Sequence, residues 1–161
     1  PIEVNCSVLG FDSEVRTSVT EMPTTSGGEL LDFADKYLTG GGSKGMASLK
    51  RIMPAPVGDE MIHRIESLSA QIFRALDCKG VVRIDYMLTK NDELYITEIN
   101  TIPGSMAFYL WQESGISYPQ LIDKLVEYAE KAFAEKNENN YAYTSDILNG
   151  VVLGGKKGGK L

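Results

Sequence analysis

The spacing of apolar residues along the chain first predicts strands. Residues 1–10 alternate between apolar and polar side chains, which is typical of a half-buried strand, and the β-branched stretch 13–22 predicts its antiparallel partner. Residues 80–88 and 94–100 flank the polar segment "TKNDE" and predict a second hairpin. The sequence therefore predicts two antiparallel β-hairpins.

Two longer stretches, 59–76 and 118–136, repeat their apolar residues at helical spacing and predict helices. Residues 23–58 show no periodicity and contain two glycine clusters, and residues 137–161 end in glycines and lysines. This order of elements predicts an α+β fold in which helices cover one face of an antiparallel sheet. We expect one domain over 1–136, followed by a loosely ordered C-terminal tail over 137–161.

Composition and charge narrow the class of protein. The chain has 161 residues, 43% of them hydrophobic, and a formal net charge of −6, whereas proteins that bind nucleic acids usually present a basic surface. The sequence contains no signal peptide and no run of about 18 apolar residues, the length that spans a bilayer. We therefore expect a soluble, cytoplasmic protein with neither a nucleic-acid nor a membrane partner.

The cysteines and the first residues add to this picture. Cys6 and Cys78 lie far apart, match no zinc or redox spacing, and are expected to be buried thiols in a reducing compartment. The chain begins at Pro1 inside a predicted strand, which indicates a piece of a longer protein with a region missing upstream.

Charged and amide side chains interrupt the second hairpin, "RIDYMLTKNDELYITEINTIPG", where apolar residues are expected. Strand alternation places Arg83 and Asp85 on one face of the first strand, and places Ile96, Glu98 and Asn100 together on the second. One pairing register brings the four polar side chains into a common pocket. Two carboxylates and an amide oxygen are ligands that Mg²⁺ prefers, and a bound cation lets both carboxylates stay ionised. The alternative is a solvated strand face with a surface ion pair, which the aliphatic neighbours disfavour.

The segment "GVVRIDYML…ELYITEINTIPGS" resembles the ATP-grasp superfamily and, within it, the D-alanine–D-alanine ligases. Their hallmark is an R-x-D strand followed by E-x-N-T-x-P-G at the end of the next strand, and the spacing matches over residues 80–104 without a gap. The likeness continues in "ESGISYPQLIDKLVEYA" (113–129), in "PIEV" at the start and in "DKYL" (35–38). It covers residues 1–135 and implies the C-terminal part of an ATP-grasp domain.

The resemblance implies a role for each motif residue. Asp85, Glu98 and Asn100 would hold the Mg²⁺ (or Mn²⁺) ions that bridge the phosphates of ATP. Arg83 would stabilise the charge that develops on the acyl phosphate and on the tetrahedral intermediate. Gly104 would offer its backbone N–H to an oxyanion.

Further residues would contact ATP and the second substrate. Met87 would pack on the adenine, Glu3 would accept hydrogen bonds from the ribose hydroxyls, and Lys36 would reach the phosphates from the long loop. In the family a longer segment after P-G contacts the carboxylate of the second substrate through a serine. Here that segment is shortened to "SMAFY", and Ser105 is the only serine nearby.

The activity that the resemblance implies is ATP-dependent ligation of two D-alanine molecules through an acyl phosphate, which makes D-alanyl-D-alanine for peptidoglycan. The implied partners are ATP, D-alanine and the missing N-terminal region of the same protein, and full-length family members form homodimers. The isolated chain would be inactive, because the substrate domain and the first part of the ATP-grasp domain are absent. The shortened segment keeps open a ligase for another acceptor, such as D-lactate, D-serine or another amine. A degenerate nucleotide-binding module is the third possibility.

Two other features carry less chemistry. The glycine-rich segment 39–45 lacks the spacing of a phosphate-binding P-loop and is interpreted as a lid that brings Lys36 over ATP, or else as a simple loop. His63, the only histidine, is expected to be an ordinary helical residue.

Overall fold

The computed structural model of the protein describes residues 1–24 and 51–138. Lys36, the glycine-rich segment 39–45 and residues 139–161 of the predicted tail lie outside the described residues. In chain order, the described part contains β1 (Ile2–Phe11), β2 (Glu14–Pro23), β3 (Arg51–Ile52), α1 (Asp59–Ala75), β4 (Gly80–Leu88), β5 (Leu94–Asn100), a 3₁₀ turn (Gly104–Ala107), α2 (Phe108–Glu113) and α3 (Tyr118–Glu138).

The strands form one antiparallel sheet in the order β3-β2-β1-β4-β5. The predicted α+β class, the two hairpins and the antiparallel sheet are confirmed. β3, the 3₁₀ turn and α2 were not predicted, because these elements have 2, 4 and 6 residues and are too short to show a periodicity. None of the described helices combines the length and the apolar character that crossing a membrane requires.

The helices lie on both faces of the sheet, which differs from the expected single covered face. Val4, Cys6 and Val8 of β1 pack in one core cluster with Ile65 and Phe73 of α1. The intervening positions of β1 project to the opposite face, where a second cluster joins the sheet to α2 and α3. The members of that cluster are Leu9, Phe11, Val81, Trp111, Ile116, Leu121 and Tyr128.

An irregularity in β5 explains how polar and apolar side chains are sorted there. Asp85 pairs with Glu98, but the next residue of β4, Tyr86, pairs with Ile96, so Thr97 is an extra residue in β5. The Thr97 hydroxyl donates a hydrogen bond of 3.0 Å to the backbone oxygen of Asp85. Ile96 therefore shares the α1 face with Tyr86, and the prediction that it lies beside Glu98 is wrong.

Gly10 of β1 is opposite Val15 of β2 and lies close to the backbone of that strand. A Cβ atom at this position would lie 2.5 Å from the backbone oxygen of Glu14 and 3.1 Å from Val15. We expect Gly10→Ala to lower the free energy of unfolding by about 1–3 kcal/mol, because the strands must move apart. Urea unfolding checks this, with Ser13→Ala in the exposed turn of the same hairpin as a control that changes it by less than about 0.5 kcal/mol. Equal stability of the two variants would contradict the close approach.

Candidate functional site

Three cross-strand rows of side chains share the sheet face on which α2 and α3 pack. Residues that are directly opposite one another on neighbouring strands project to the same face, so the pairing of β1 with β4 and of β4 with β5 defines each row. The rows are Glu3, Met87 and Tyr95; Asn5, Asp85 and Glu98; and Ser7, Arg83 and Asn100. The structure thus brings together the four polar residues predicted from the hairpin and places Glu3 and Met87 beside them.

Arg83 and Asp85 form a buried, two-pronged ion pair. Arg83 Nε donates to Asp85 Oδ1 at 2.7 Å and Arg83 Nη2 donates to Asp85 Oδ2 at 2.8 Å. The side chains are 4% and 1% exposed, so neither charge is compensated by water. Burial opposes the charged guanidinium, but the hydrogen bonds and the charge of Asp85 outweigh this effect and raise the pKa of Arg83. Such a pair holds both groups ionised and in fixed positions.

Glu98 and Asn100 approach this pair from β5. Glu98 is directly opposite Asp85, and Asn100 is opposite Arg83. Asn100 Nδ2 lies 3.5 Å from Asp85 Oδ2, a long contact that leaves the amide close to the carboxylate. Both residues are less buried than the ion pair, so the two carboxylates and the amide lie at the boundary between the sheet interior and solvent.

The chemistry of these donors fits a divalent cation of the magnesium type. Within residues 1–24 and 51–138, no three His, Cys, Asp or Glu side chains form a group that could hold a metal ion. Asp85, Glu98 and Asn100 offer two carboxylates and one amide oxygen. The other coordination positions of the ion would be left to oxygens from water or phosphate. Mg²⁺ is commonly bound in this way, through one or two carboxylates together with water and phosphate oxygens.

The segment after β5 turns sharply into α2. Ser105, Met106 and Ala107 have φ values of 54°, 54° and 49°, a left-handed conformation that costs non-glycine residues roughly 1–2 kcal/mol each. The Met106 N–H donates to the Pro103 oxygen at 2.9 Å and closes the turn. Gly104 and Ser105 are exposed at its start. The turn places them past the end of β5, while the roles assigned to them stay predictions.

Comparison with known proteins identifies the family. The family model for the D-ala D-ala ligase C-terminus matches residues 2–127, which is most of the chain. The chain belongs to this family. Two similar proteins are the D-alanine–D-alanine ligases of Thermosipho africanus, 33% identical over 146 residues, and of Streptomyces coelicolor, 41% identical over 132 residues. These matches cover 91% and 79% of the chain but 38% and 32% of the relatives, so the chain spans about a third of their length.

Solved ligase structures share the fold. The VanG D-Ala:D-Ser ligase of Enterococcus faecalis is similar with a TM-score of 0.57 and 26% identity, over 78% of this chain and 35% of that one. The D-alanine–D-alanine ligase of Bacillus anthracis, solved in complex with ATP, is similar with a TM-score of 0.58 and 21% identity, over 84% of this chain and 40% of that one. The sheet and its helices therefore correspond to a part of the ligase fold.

A second buried polar cluster on the same face was missed by the sequence analysis. Glu21 of β2 is its centre: Arg51 Nη1 donates to Glu21 Oε2 at 3.2 Å, Tyr109 Oη donates to Oε1 at 2.8 Å, and Asn5 Nδ2 donates to Oε1 at 3.2 Å. The Arg51 guanidinium also lies 3.7 Å from the centre of the Tyr109 ring. Burial and the charge of Glu21 together raise the pKa of Tyr109 to about 12, so the hydroxyl stays protonated and can donate.

Four different elements contribute to this Glu21 cluster, and no short motif contains it. A charged residue at the end of a β-branched strand was its only signal, because Glu21 follows "RTSVT". Asn5 is opposite both Glu21 and Asp85, so the Glu21 cluster adjoins the Arg83–Asp85 pair directly. The polar face of the sheet is therefore wider than the family motif alone indicates.

Proposed function

We propose that the chain is the ATP- and Mg²⁺-binding C-terminal part of a cytoplasmic D-alanine–D-alanine ligase that supplies D-alanyl-D-alanine for peptidoglycan. One observation carries this proposal: Arg83 and Asp85 of β4 face Glu98 and Asn100 of β5 in register on one side of the sheet. Family membership supports the reaction, and the Bacillus anthracis ligase solved with ATP supports the nucleotide.

The proposed residue roles follow the rows across the sheet. Asp85, Glu98 and Asn100 would hold Mg²⁺ (or Mn²⁺), which when bound would neutralise charge on the phosphates of ATP. Glu3 and Met87 form the neighbouring row, where a buried carboxylate and a thioether suit the ribose and the adenine. Lys36, which lies outside the described residues, would contact the phosphates.

Arg83 has the electrostatic role in this proposal. The first D-alanine carboxylate attacks the γ-phosphorus of ATP, and ADP leaves. The amine of the second D-alanine then attacks the acyl carbon, and phosphate leaves from the tetrahedral intermediate. Both steps build negative charge on oxygen, and the buried, permanently charged guanidinium of Arg83 is preorganised to stabilise it. The exposed Gly104 N–H would be a second donor to the same oxygen.

We propose that the remaining parts of the substrate site belong to further regions of a longer protein, which would act as a homodimer. Two reacting molecules and ATP must be held together, and this ordering is a large part of such a rate enhancement. The 161-residue chain alone would therefore be inactive. The term "complete protein" is used for the longer protein that contains this chain together with those regions.

A second candidate function concerns the acceptor. The shortened turn, with three left-handed residues from Ser105 to Ala107, changes the segment that would carry the serine contacting the acceptor carboxylate. VanG, one of the similar structures, is a D-Ala:D-Ser ligase. A D-alanine–D-serine or D-alanine–D-lactate ligase is therefore the specific alternative.

A product assay tests the proposal and separates the two candidates. The complete protein should form D-alanyl-D-alanine from D-alanine, ATP and Mg²⁺, with one ADP released per dipeptide, as measured by mass spectrometry and a coupled ADP assay. D-Serine and D-lactate, each mixed with D-alanine, are the competing acceptors. A higher kcat/KM with either of them would replace the first proposal by the second. Failure to release ADP with all three would contradict both and favour a nucleotide-binding module.

A further inference from the structure

Asn5, at the centre of the polar face, has a buried side-chain oxygen without a hydrogen-bond partner. Among the residues that the structure describes, its Oδ1 is the one buried side-chain oxygen or nitrogen without a hydrogen-bond partner. The side chain is deeply buried, with the whole residue 3% exposed. Folded proteins seldom leave such a group unpaired, because an unmet buried acceptor is destabilising. The unpaired oxygen is therefore available to accept a hydrogen bond from a donor that reaches it.

The orientation of the Asn5 amide is settled by its neighbour. The Glu21 carboxylate can only accept hydrogen bonds, so Asn5 must turn its NH₂ group toward Glu21, as the 3.2 Å contact shows. Trigonal geometry then directs Oδ1 away from Glu21. The other cross-strand neighbour of Asn5 is Asp85, on β4. The free acceptor thus belongs to the part of the face that holds the Arg83–Asp85 pair.

The Arg83–Asp85 pair would be weakened by a metal ion at the site proposed above. Each carboxylate oxygen of Asp85 already accepts a hydrogen bond from Arg83. A cation that takes Asp85 as a ligand repels the positive guanidinium and competes with it for these oxygens, so it favours the release of one of these hydrogen bonds. The released N–H groups of Arg83 are buried, and a buried guanidinium without acceptors is strongly unfavourable. A substitute acceptor close to Arg83 would therefore favour metal binding at Asp85.

We propose that Asn5 is the positioning residue that supplies this acceptor. When a divalent cation binds Asp85, the Arg83 guanidinium turns one N–H from Asp85 to Asn5 Oδ1 and stays on the polar face with its remaining donors toward the reacting oxygens. This inference rests on the proposed metal site and adds to it a residue from β1 that the family motif does not contain.

The distances across the sheet allow this exchange. Asp85 is directly opposite Asn5, and side chains in that relation have Cβ atoms about 4.5–5.5 Å apart. The Arg83 guanidinium already reaches Asp85, so it lies beside the row that contains Asn5. We expect a rotation of the Arg83 side chain to exchange one acceptor for the other. Glu21 accepts the hydrogen bond from Asn5 Nδ2 and so fixes the orientation of the amide.

Mn²⁺ binding to the complete protein with ADP tests the proposal without measuring turnover. Asn5→Leu removes the acceptor at similar volume, and Tyr109→Phe is the matched control, because it removes a buried hydrogen bond to Glu21 and leaves Asn5 intact. Electron paramagnetic resonance should give a Kd for Mn²⁺ that rises about tenfold or more in Asn5→Leu, as expected for a lost hydrogen bond to a charged group. Tyr109→Phe should bind like the wild type.

A purely structural role for Asn5 would instead lower the metal-free unfolding temperature of Asn5→Leu and leave its Kd for Mn²⁺ unchanged. The proposal predicts the reverse. The metal-free unfolding temperature of Asn5→Leu should stay close to that of Tyr109→Phe, because Glu21 keeps two partners and the orphaned oxygen is gone. A Kd for Mn²⁺ equal to that of the wild type would overturn the role of Asn5 and leave the metal site standing. Absence of Mn²⁺ binding to the wild type would instead overturn the metal site itself.

A structure of the unmodified complete protein with Mn²⁺ and ADP decides the question even if Asn5→Leu fails to fold. The expected result is an Arg83 guanidinium nitrogen within about 3.2 Å of Asn5 Oδ1. If Asn5 Oδ1 instead contacts water or the metal, or if Arg83 still holds both oxygens of Asp85, the proposal is wrong.

Discussion

Replacing Glu98 with glutamine should reduce Mg²⁺-dependent ADP release by the complete protein on the order of 10³-fold. Glu98 faces Asp85 across β4 and β5 and supplies the second of the two carboxylates in the candidate site. Glutamine keeps the shape of the side chain but removes its negative charge. Without that charge the cation loses a principal ligand, and the phosphates of ATP lose their neutralising partner. Steady-state kinetics over a range of Mg²⁺ concentrations measures the effect.

Glu98 is a better test position than Asp85, because Asp85 is completely buried and its loss would leave the Arg83 charge unpaired. The matched control is Glu93→Gln, which removes the same charge from the exposed turn of the same hairpin. That variant should keep nearly full activity. If Glu98→Gln turned over like Glu93→Gln at every Mg²⁺ concentration, the assignment of Glu98 as a metal ligand would be wrong.

Arg83→Lys should lower kcat by about 10²–10³-fold, the effect of removing one preorganised electrostatic contact from a transition state. Lysine keeps the positive charge but lacks the planar, two-pronged donor group that Arg83 directs at Asp85. The ammonium group is also shorter and more strongly hydrated. Because the charge is retained, we expect the folded protein to persist and the loss to appear in kcat rather than in the KM for ATP.

Arg64→Lys is the control for this change, since Arg64 is exposed on α1 and donates to the Asp92 backbone oxygen. A rapid-quench measurement of the two variants separates chemistry from product release. If Arg83→Lys raised the KM for ATP tenfold or more and left kcat unchanged, Arg83 would be reassigned from the reaction to nucleotide binding.

The strands of the second hairpin could be predicted from the sequence, because the apolar pattern of both strands and the polar turn between them indicate the same structure. The strand bounds 80–88 and 94–100 agree with the structure, and the polar turn between them fixes the pairing. The extra residue at Thr97 could not be predicted, since a period of two residues does not show where a bulge falls. The bulge nevertheless decides the face of each side chain, because it resets the alternation before Glu98.

The sequence did not show that helices cover both faces of the sheet, because one face of β1 carries polar residues that are nevertheless buried. Asn5 and Ser7 suggested a solvated face of β1, but both are buried and their polar groups are used inside the protein. Ser7 Oγ donates to the Val82 oxygen at 2.9 Å and accepts a hydrogen bond of 3.1 Å from the Trp111 indole. Polar residues in a strand therefore did not mean exposure here. They formed the part of the face that supports the candidate site.

The metal position is the most direct test of the proposed site. A crystal structure of the complete protein with Mn²⁺ and a non-hydrolysable ATP analogue, with anomalous data that locate the metal, measures it. We predict a peak about 2.0–2.3 Å from side-chain oxygens of Asp85, Glu98 and Asn100, bridged to phosphate oxygens. A bound nucleotide whose metal lies away from all three residues, with the Arg83–Asp85 pair intact, would contradict the assignment of this face as the metal–nucleotide site.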